Sequence, residues 1–451
     1  MQPPGLYHCC YHAPRMLKFS RYQWMVLAAA WLGWGFDVFD GLLFNYVAPN
    51  AVPTLLGLPL GSPDARSATL YWTGLLTSLF LIGWAVGGVI FGPFSDRFGR
   101  RRTLMITMVL YAIGTAACAF VTDIWQLTAC RLLASLGIGG EWAAGAAMVA
   151  EIVDEEYRVE AGALLYTAAP FGLFLATGVN ALVAGNLMLG NPETSWRFVL
   201  LFGLLPAALA FVVRLFVKES ERWIATARAS SRPRIGELFN AVFWPRTRSA
   251  LLMTFVALLT WWSCNAFIPV VSATLAQASA AASGLDKAAT SALVESWKTI
   301  ATTSFNLGGL IGTLLTVPIA KRFGRRPMFA TYFAFAALSL LGTFGLDIPN
   351  EARLYMYFFI GLSVFGVFGS FTYYLPELFP TRLRATGSGF CYNIGRVVAA
   401  AGPYVVGTVA AAGSGEPRVI LNALFAVAFV PLFGLLFMPW VVETRGQQLP
   451  A

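Results

Sequence analysis

Polar residues in this chain come in short clusters that separate long apolar runs. The runs fall near residues 22–49, 71–93, 103–121, 124–151, 160–188 and 196–217, and again near 249–275, 297–320, 327–346, 353–376, 384–410 and 417–441. An α-helix needs roughly twenty apolar residues to cross the hydrocarbon of a bilayer. The pattern therefore predicts an all-α integral membrane protein with twelve transmembrane helices. The polar stretch 218–248 divides six runs from six. It sets a tail over 1–21, a six-helix bundle over 22–217, a linker over 218–248, a second six-helix bundle over 249–441 and a tail over 442–451.

Composition agrees with a bilayer as the solvent. Of 451 residues 57% are hydrophobic and 12% charged, about half the charge of a soluble domain. A net charge of +9 raises the question of nucleic acid. The basic residues, however, sit in the loops between apolar runs and form no single patch, so no nucleic-acid partner is expected. With both termini on one side, the segments on that side hold 22 Lys and Arg. The opposite side holds Arg66, Arg197, Lys287, Lys298, Arg353 and Arg418, and Arg131, Arg214 and Arg396 fall within runs. This asymmetry predicts a multi-pass protein of the cell membrane with both termini cytoplasmic.

Cys9, Cys10, Cys118, Cys130, Cys264 and Cys391 show neither zinc-ligand spacing nor a disulfide framework. No metal or cofactor is expected, and His8-Cys9-Cys10-Tyr11-His12 reads as part of a leader. Met16 is an alternative start, and the first run is too long for a cleavable signal.

The two halves are copies of one another. Arg97-Phe98-Gly99-Arg100-Arg101 returns as Arg322-Phe323-Gly324-Arg325-Arg326, an offset of 225. Glu151 and Arg158 return as Glu377 and Arg384 at an offset of 226, and Glu219 returns as Glu443 at 224. Six is even, so both copies enter the membrane in the same direction. Parallel repeats of this kind build transporters that rock about a site between the halves.

Gly92-Pro93-Phe94-Ser95-Asp96-Arg97-Phe98-Gly99-Arg100-Arg101 resembles the G-x-x-x-D-R-x-G-R-R loop between spans two and three of the major facilitator superfamily. The resemblance covers essentially the whole chain. It implies a cytoplasmic latch built from Gly92, Asp96, Arg97, Gly99, Arg100 and Arg101 with the helix-end residues Glu151, Arg158, Glu377 and Arg384. The second copy has Lys321 at the Asp position and Val317 at the first Gly, so only the first latch is expected intact.

Ionisable groups inside a membrane are costly and mark functional sites by default. Those inside the runs are Asp37, Asp40, Arg131, Glu141 and Arg396. Asp37 and Asp40 are spaced to share a helical face. With Glu141 they are candidate proton carriers, because a desolvated carboxylate takes up a proton more readily. Arg396 keeps its proton, and its planar fork suits a carboxylate. It is the candidate substrate anchor, with Asn393 one turn away. The alternative is structural: an Asp40–Arg396 or Glu141–Arg131 ion pair that holds helices together. Tyr166, Trp261, Trp262, Phe305, Tyr373 and Tyr374 are candidate cavity aromatics. Asn45, Asn265 and Asn306 are polar groups that bond either substrate or neighbouring helices.

Three spans narrow the resemblance. Trp31-Leu32-Gly33-Trp34-Gly35-Phe36-Asp37-Val38-Phe39-Asp40, Arg131 with Gly137-x-Gly139-Gly140-Glu141-Trp142, and Tyr392-Asn393-x-Gly395-Arg396 look like spans one, four and eleven of the organic-acid:proton symporters of aromatic acids and sialic acid. That resemblance implies Arg131 as a further substrate contact, and of the cavity aromatics Tyr166, Trp262 and Tyr373 are the candidate substrate contacts. Val38-Phe39 is bulkier than the subgroup's small residues. Span five carries Ala168-Ala169-Pro170-Phe171-Gly172 and lacks the Gly-Pro and Gly-Gly doublets of antiporters. Leu375-Pro376-Glu377-Leu378-Phe379-Pro380 looks like a sugar porter, yet a neutral sugar has no need of Arg396. The expected protein is no enzyme but a monomeric, proton-coupled carrier for the uptake of a small carboxylate.

Overall fold

The structure is a computed structural model that describes residues 19–98, 100–153, 158–204, 208, 234–380, 383–413 and 416–445. Its main helices, over the described residues, are α1 (Arg21–Leu56), α2 (Pro63–Phe98), α3 (Arg100–Cys118), α4 (Ile124–Ile152), α5 (Ala161–Leu187), α6 (Pro192–Phe202), α7 (Trp244–Ala282), α8 (Lys287–Phe323), α9 (Arg325–Gly345), α10 (Asn350–Leu378), α11 (Thr386–Ala412) and α12 (Pro417–Leu436), nine of them long and apolar enough to cross a membrane. The twelve form two six-helix halves, α1–α6 and α7–α12.

Local chemistry fixes where the helices start. Ser20 and Gln23 form a capping box at α1: the Ser20 hydroxyl accepts from Gln23 N at 3.2 Å, and Gln23 Oε1 accepts from Ser20 N at 2.8 Å. Gln23 Nε2 then donates to Ile152 O at 2.9 Å, tying the start of α1 to the end of α4. Asp123 caps α4 through Trp125 N at 2.7 Å, and Asp286 caps α8 through Ala289 N at 2.7 Å. The face that carries Arg21 and Glu443 is called here the terminal face, and the opposite one the distal face.

Three boundaries differ from the apolar runs. α1 continues to Leu56, past Pro49 and Pro53. α7 begins at Trp244, inside the expected linker. α8 begins at Lys287, well before residue 297. The last shift moves Glu295 and Lys298 from an expected loop into a buried helix.

Two helices lose regular winding near the middle of the molecule. α10 passes through a π turn at Gly361–Phe365 and a 3₁₀ turn at Gly366–Ser370, the kind of local winding that gathers at functional sites. Its glycines allow close packing on α8, since a Cβ on Gly361 would lie 2.0 Å from Phe305 O. α11 breaks at Ala400, ahead of Pro403.

On the distal side the halves are joined tightly. α2 and α11 meet backbone to backbone, because a Cβ on Gly74 would lie 2.4 Å from Pro403 O. Ser78 Oγ donates to Ala400 O at 2.6 Å and Ser67 Oγ to Ala411 O at 2.8 Å across the same seam. Opposite them, Tyr46 and Thr177 of the first half meet Thr302 and Asn306 of the second: Tyr46 Oη lies 3.1 Å from Thr177 Oγ1, which donates to Thr302 Oγ1 at 3.1 Å and accepts from Asn306 Nδ2 at 3.2 Å.

Candidate functional site

Beneath this distal seam lies a cavity walled by three helices of each half. Trp34, Val38, Gly41 and Leu42 come from α1, Trp84 from α2, and Tyr166 and Ala169 from α5. Leu258, Trp261 and Trp262 come from α7, Phe365 and Phe368 from the irregular part of α10, and Tyr392 and Arg396 from α11. Its volume is about 40 Å³, far below the roughly 300–1,000 Å³ of a small-molecule pocket. As it stands the cavity is too small for an organic acid.

Arg396 is the cation of this cavity and is only 2% exposed. Its Nη1 donates to Asn393 Oδ1 at 2.9 Å, one turn back along α11. The guanidinium carbon lies 4.2 Å from the centre of the Trp84 ring and 4.6 Å from that of Tyr392. Tyr166, Tyr392 and Asp37 all stand within electrostatic reach of it. Aromatic faces and a fixed amide therefore hold the fork in one orientation.

Asp37 is fully buried beside this group, and its charge acts on Arg396. Asp40 does not join it. Thr115 of α3 donates to Asp40 Oδ2 at 2.5 Å, and the charge of Arg131 acts on the same carboxylate. The shared face expected of Asp37 and Asp40 thus splits. Three residues rotate a helix by about 60° short of a full turn, enough in a packed bundle to send one side chain toward α11 and the other into the first half.

Arg131 is not a wall of the cavity. Its Nη2 donates to Gly41 O at 2.9 Å, and the guanidinium lies against Phe44 and Phe80 at 4.9 and 4.7 Å. It braces α1, α2 and α4 from within. Of the alternative ion pairs, Asp40 associates with Arg131 instead of Arg396. Tyr166, Trp261 and Trp262 line the cavity, whereas Tyr373 does not. Its hydroxyl donates to Thr316 O at 3.4 Å, and its ring lies 5.5 Å from the Arg325 guanidinium toward the terminal face. Tyr374 is buried with its hydroxyl on Ser249 at 2.6 Å. Asn45, Asn265, Phe305 and Asn306 gather instead in a small closed niche with Tyr46 and Thr302.

The side chains of Gly92, Asp96, Arg97, Gly99, Arg100, Arg101, Glu141, Glu151 and Arg158 lie outside the described residues. The second copy of the latch is described, and it is more complete than its sequence implies. Arg325 pairs with Glu377 at 2.5 Å, and Thr444 donates to Glu377 Oε2 at 2.5 Å. Glu443 accepts from the backbone N–H groups of Arg325, Arg326 and Arg445 at 2.9, 3.0 and 2.9 Å. Burial alone would raise the Glu443 carboxylate, but these donors and the Arg325 charge hold it below its ordinary value. Arg384 donates to Pro376 O at 3.1 Å. Losing the motif's Asp at position 321 leaves this cluster standing because its anions come from α10 and the chain end.

The family model of the Major Facilitator Superfamily matches residues 24–403. The chain belongs to the major facilitator superfamily. Relatives within the superfamily include a probable 4-methylmuconolactone transporter of Cupriavidus pinatubonensis, 29% identical over 93% of this chain and 90% of its own length. The sialic acid transporter NanX of Escherichia coli is 24% identical over 91% and 94%, and a gentisate transporter of Corynebacterium glutamicum is 27% identical over 85% and 81%. These relatives match the organic-acid subgroup of the superfamily. In fold, the chain is similar to a D-xylose–proton symporter, with a TM-score of 0.70 at 19% identity over 95% of this chain and 100% of that one. The protein is a transporter and not an enzyme.

Among the described residues, three buried charges were not marked by the sequence: Arg353, Glu295 and Lys298. Glu295 and Lys298 of α8 form an ion pair at 2.7 Å with side chains 8% and 1% exposed. Their i,i+3 spacing was the available signal: opposite charges three apart continue a helix, where two charges in a polar cluster read as a loop end.

Proposed function

We propose that this protein takes up a small organic-acid anion together with protons, by alternating access of the cavity to the two sides of the membrane. The observation that carries the reading is Arg396, a permanent cation held by Trp84, Tyr392 and Asn393 inside an aromatic cavity between the halves. A carboxylate satisfies that fork bidentately, and the surrounding Trp and Tyr faces suit a flat or ring-bearing body. The transported acids named for the relatives support the same class.

Asp37 supplies the coupling in this reading. Its carboxylate balances the Arg396 charge when the site is empty, and a substrate carboxylate competes for that cation. Loss of the cation's pull favours protonation of Asp37, so substrate and proton load together. The excess of basic residues on the terminal face makes that face cytoplasmic. The distal seam closes the outer side, and substrate leaves when the terminal ends part. A neutral-sugar porter is the second reading, favoured by the fold of the D-xylose symporter alone.

The test is uptake into proteoliposomes of labelled gentisate, sialic acid and D-xylose under an imposed inward proton gradient. The proposal expects acid accumulation that a protonophore abolishes. Accumulation of D-xylose but of neither acid would replace it with the sugar reading.

A further inference from the structure

Glu295 and Lys298 both lie on α8, yet every other bond they make to another helix reaches the opposite half. Glu295 Oε2 accepts from Asn180 of α5 at 2.9 Å, and Oε1 accepts from Asn50 of α1 at 3.4 Å. Lys298 Nζ donates to Tyr46 O of α1 at 3.2 Å. All four side chains are buried: Asn50 is 8% exposed, Asn180 2%, Glu295 6% and Lys298 0%. They stand distal to the cavity, one layer beyond the Tyr46–Thr177–Thr302–Asn306 contacts.

A buried ion pair is weak evidence for stability, since desolvating two charges offsets much of their attraction. Its placement is what matters here. Had one charge belonged to each half, opening the distal side would pull opposite charges apart in a medium of low dielectric. With both on α8, the charges stay neutralised when the halves separate. What breaks is a set of three hydrogen bonds to uncharged groups, and water replaces each at a small net cost.

We propose that the Glu295–Lys298 pair with Asn50 and Asn180 is the clasp of the distal gate, an ion pair that persists through the cycle while its bonds to α1 and α5 open and close. The clasp favours the distally closed state and yields without separating charge. This inference rests on the alternating-access reading but is tested without any substrate.

Spin labels on Asn191→Cys and Leu285→Cys, exposed positions at the distal ends of the two halves, report the separation by pulsed dipolar spectroscopy on the purified full chain. Asn50→Ala with Asn180→Ala leaves the ion pair in place and removes two of the three links. The longer-distance population should rise several-fold over the parent. A distribution unchanged from the parent overturns the clasp. Should the double variant fail to fold, Asn180→Asp creates no cavity and sets a second carboxylate against Glu295. It is expected to shift the distribution in the same direction, and an unchanged distribution there likewise overturns the clasp. A widened distal face in a protein that accumulates no acid would leave the clasp standing and remove only the transport reading.

Discussion

Arg396 of α11 lies with its guanidinium carbon 4.2 Å from the centre of the Trp84 ring of α2, so the cavity's cation is held by a side chain of the opposite half. In the proposed mechanism this one contact links substrate binding to the relative position of the halves.

Trp84→Ala should therefore weaken binding of an organic acid by about 1 kcal/mol, roughly fivefold. Trp84→Phe keeps an aromatic face and should lose less. Titration of both purified variants with the acids that stabilise the parent checks the order.

Arg396→Ala should cost about 2 kcal/mol of binding, roughly thirtyfold. Arg396→Lys restores the charge without the planar fork and is expected to recover only part of the loss. Equal affinities in the Lys variant and the parent would count against bidentate recognition.

Asp37→Asn should abolish proton-driven accumulation while exchange of internal for external acid continues. Counterflow measured beside uptake separates the two. Loss of both together would make Asp37 a structural partner of Arg396 instead of a coupling group.

Arg131→Ala should lower stability by about 3 kcal/mol, because it leaves the buried Asp40 carboxylate without its neighbouring cation. Acid affinity of the folded fraction should stay near the parent value, since Arg131 lines no part of the cavity and meets it only from behind, through the Gly41 carbonyl and Phe80. Thermal unfolding read together with ligand titration distinguishes this brace from a substrate contact.

The Glu443 cluster gives a pH dependence. A carboxylate held below its ordinary value of 4.5 stabilises the fold above that pH, and the contribution disappears as pH falls through the lower folded value. Glu443→Gln should be less stable than the parent at neutral pH, and the two should converge on acidification below 4.5.

The chain is most legible where one dominant force acts. Apolar runs long enough for the hydrocarbon mark the helices, a near-constant offset of 224–226 marks the repeat, and Arg396 stands out because few groups in a membrane are so costly. The chain is least legible where helix rotation and close packing decide. Asp37 and Asp40 share a face by spacing, but their neighbours on α11 and α3 separate them. Arg353 and Arg197 count as loop charges, yet they bond backbone carbonyls: Arg353 the Thr343 carbonyl at the end of α9, and Arg197 those of Ala119 and Val121 at 2.8 and 2.7 Å. Phe365 and Phe368 reach the cavity through the π and 3₁₀ turns of α10, and the only trace of those turns in the chain is the run of Gly361, Gly366 and Gly369.

The central claim is that Arg396 makes this cavity a carboxylate site. The most direct measurement is calorimetric titration of the purified transporter with gentisate, sialic acid and D-xylose, repeated on Arg396→Ala. The account predicts binding of at least one acid, none of the sugar, and a roughly thirtyfold loss of acid affinity in the variant. Sugar binding that survives Arg396→Ala, with no heat from either acid, would contradict it.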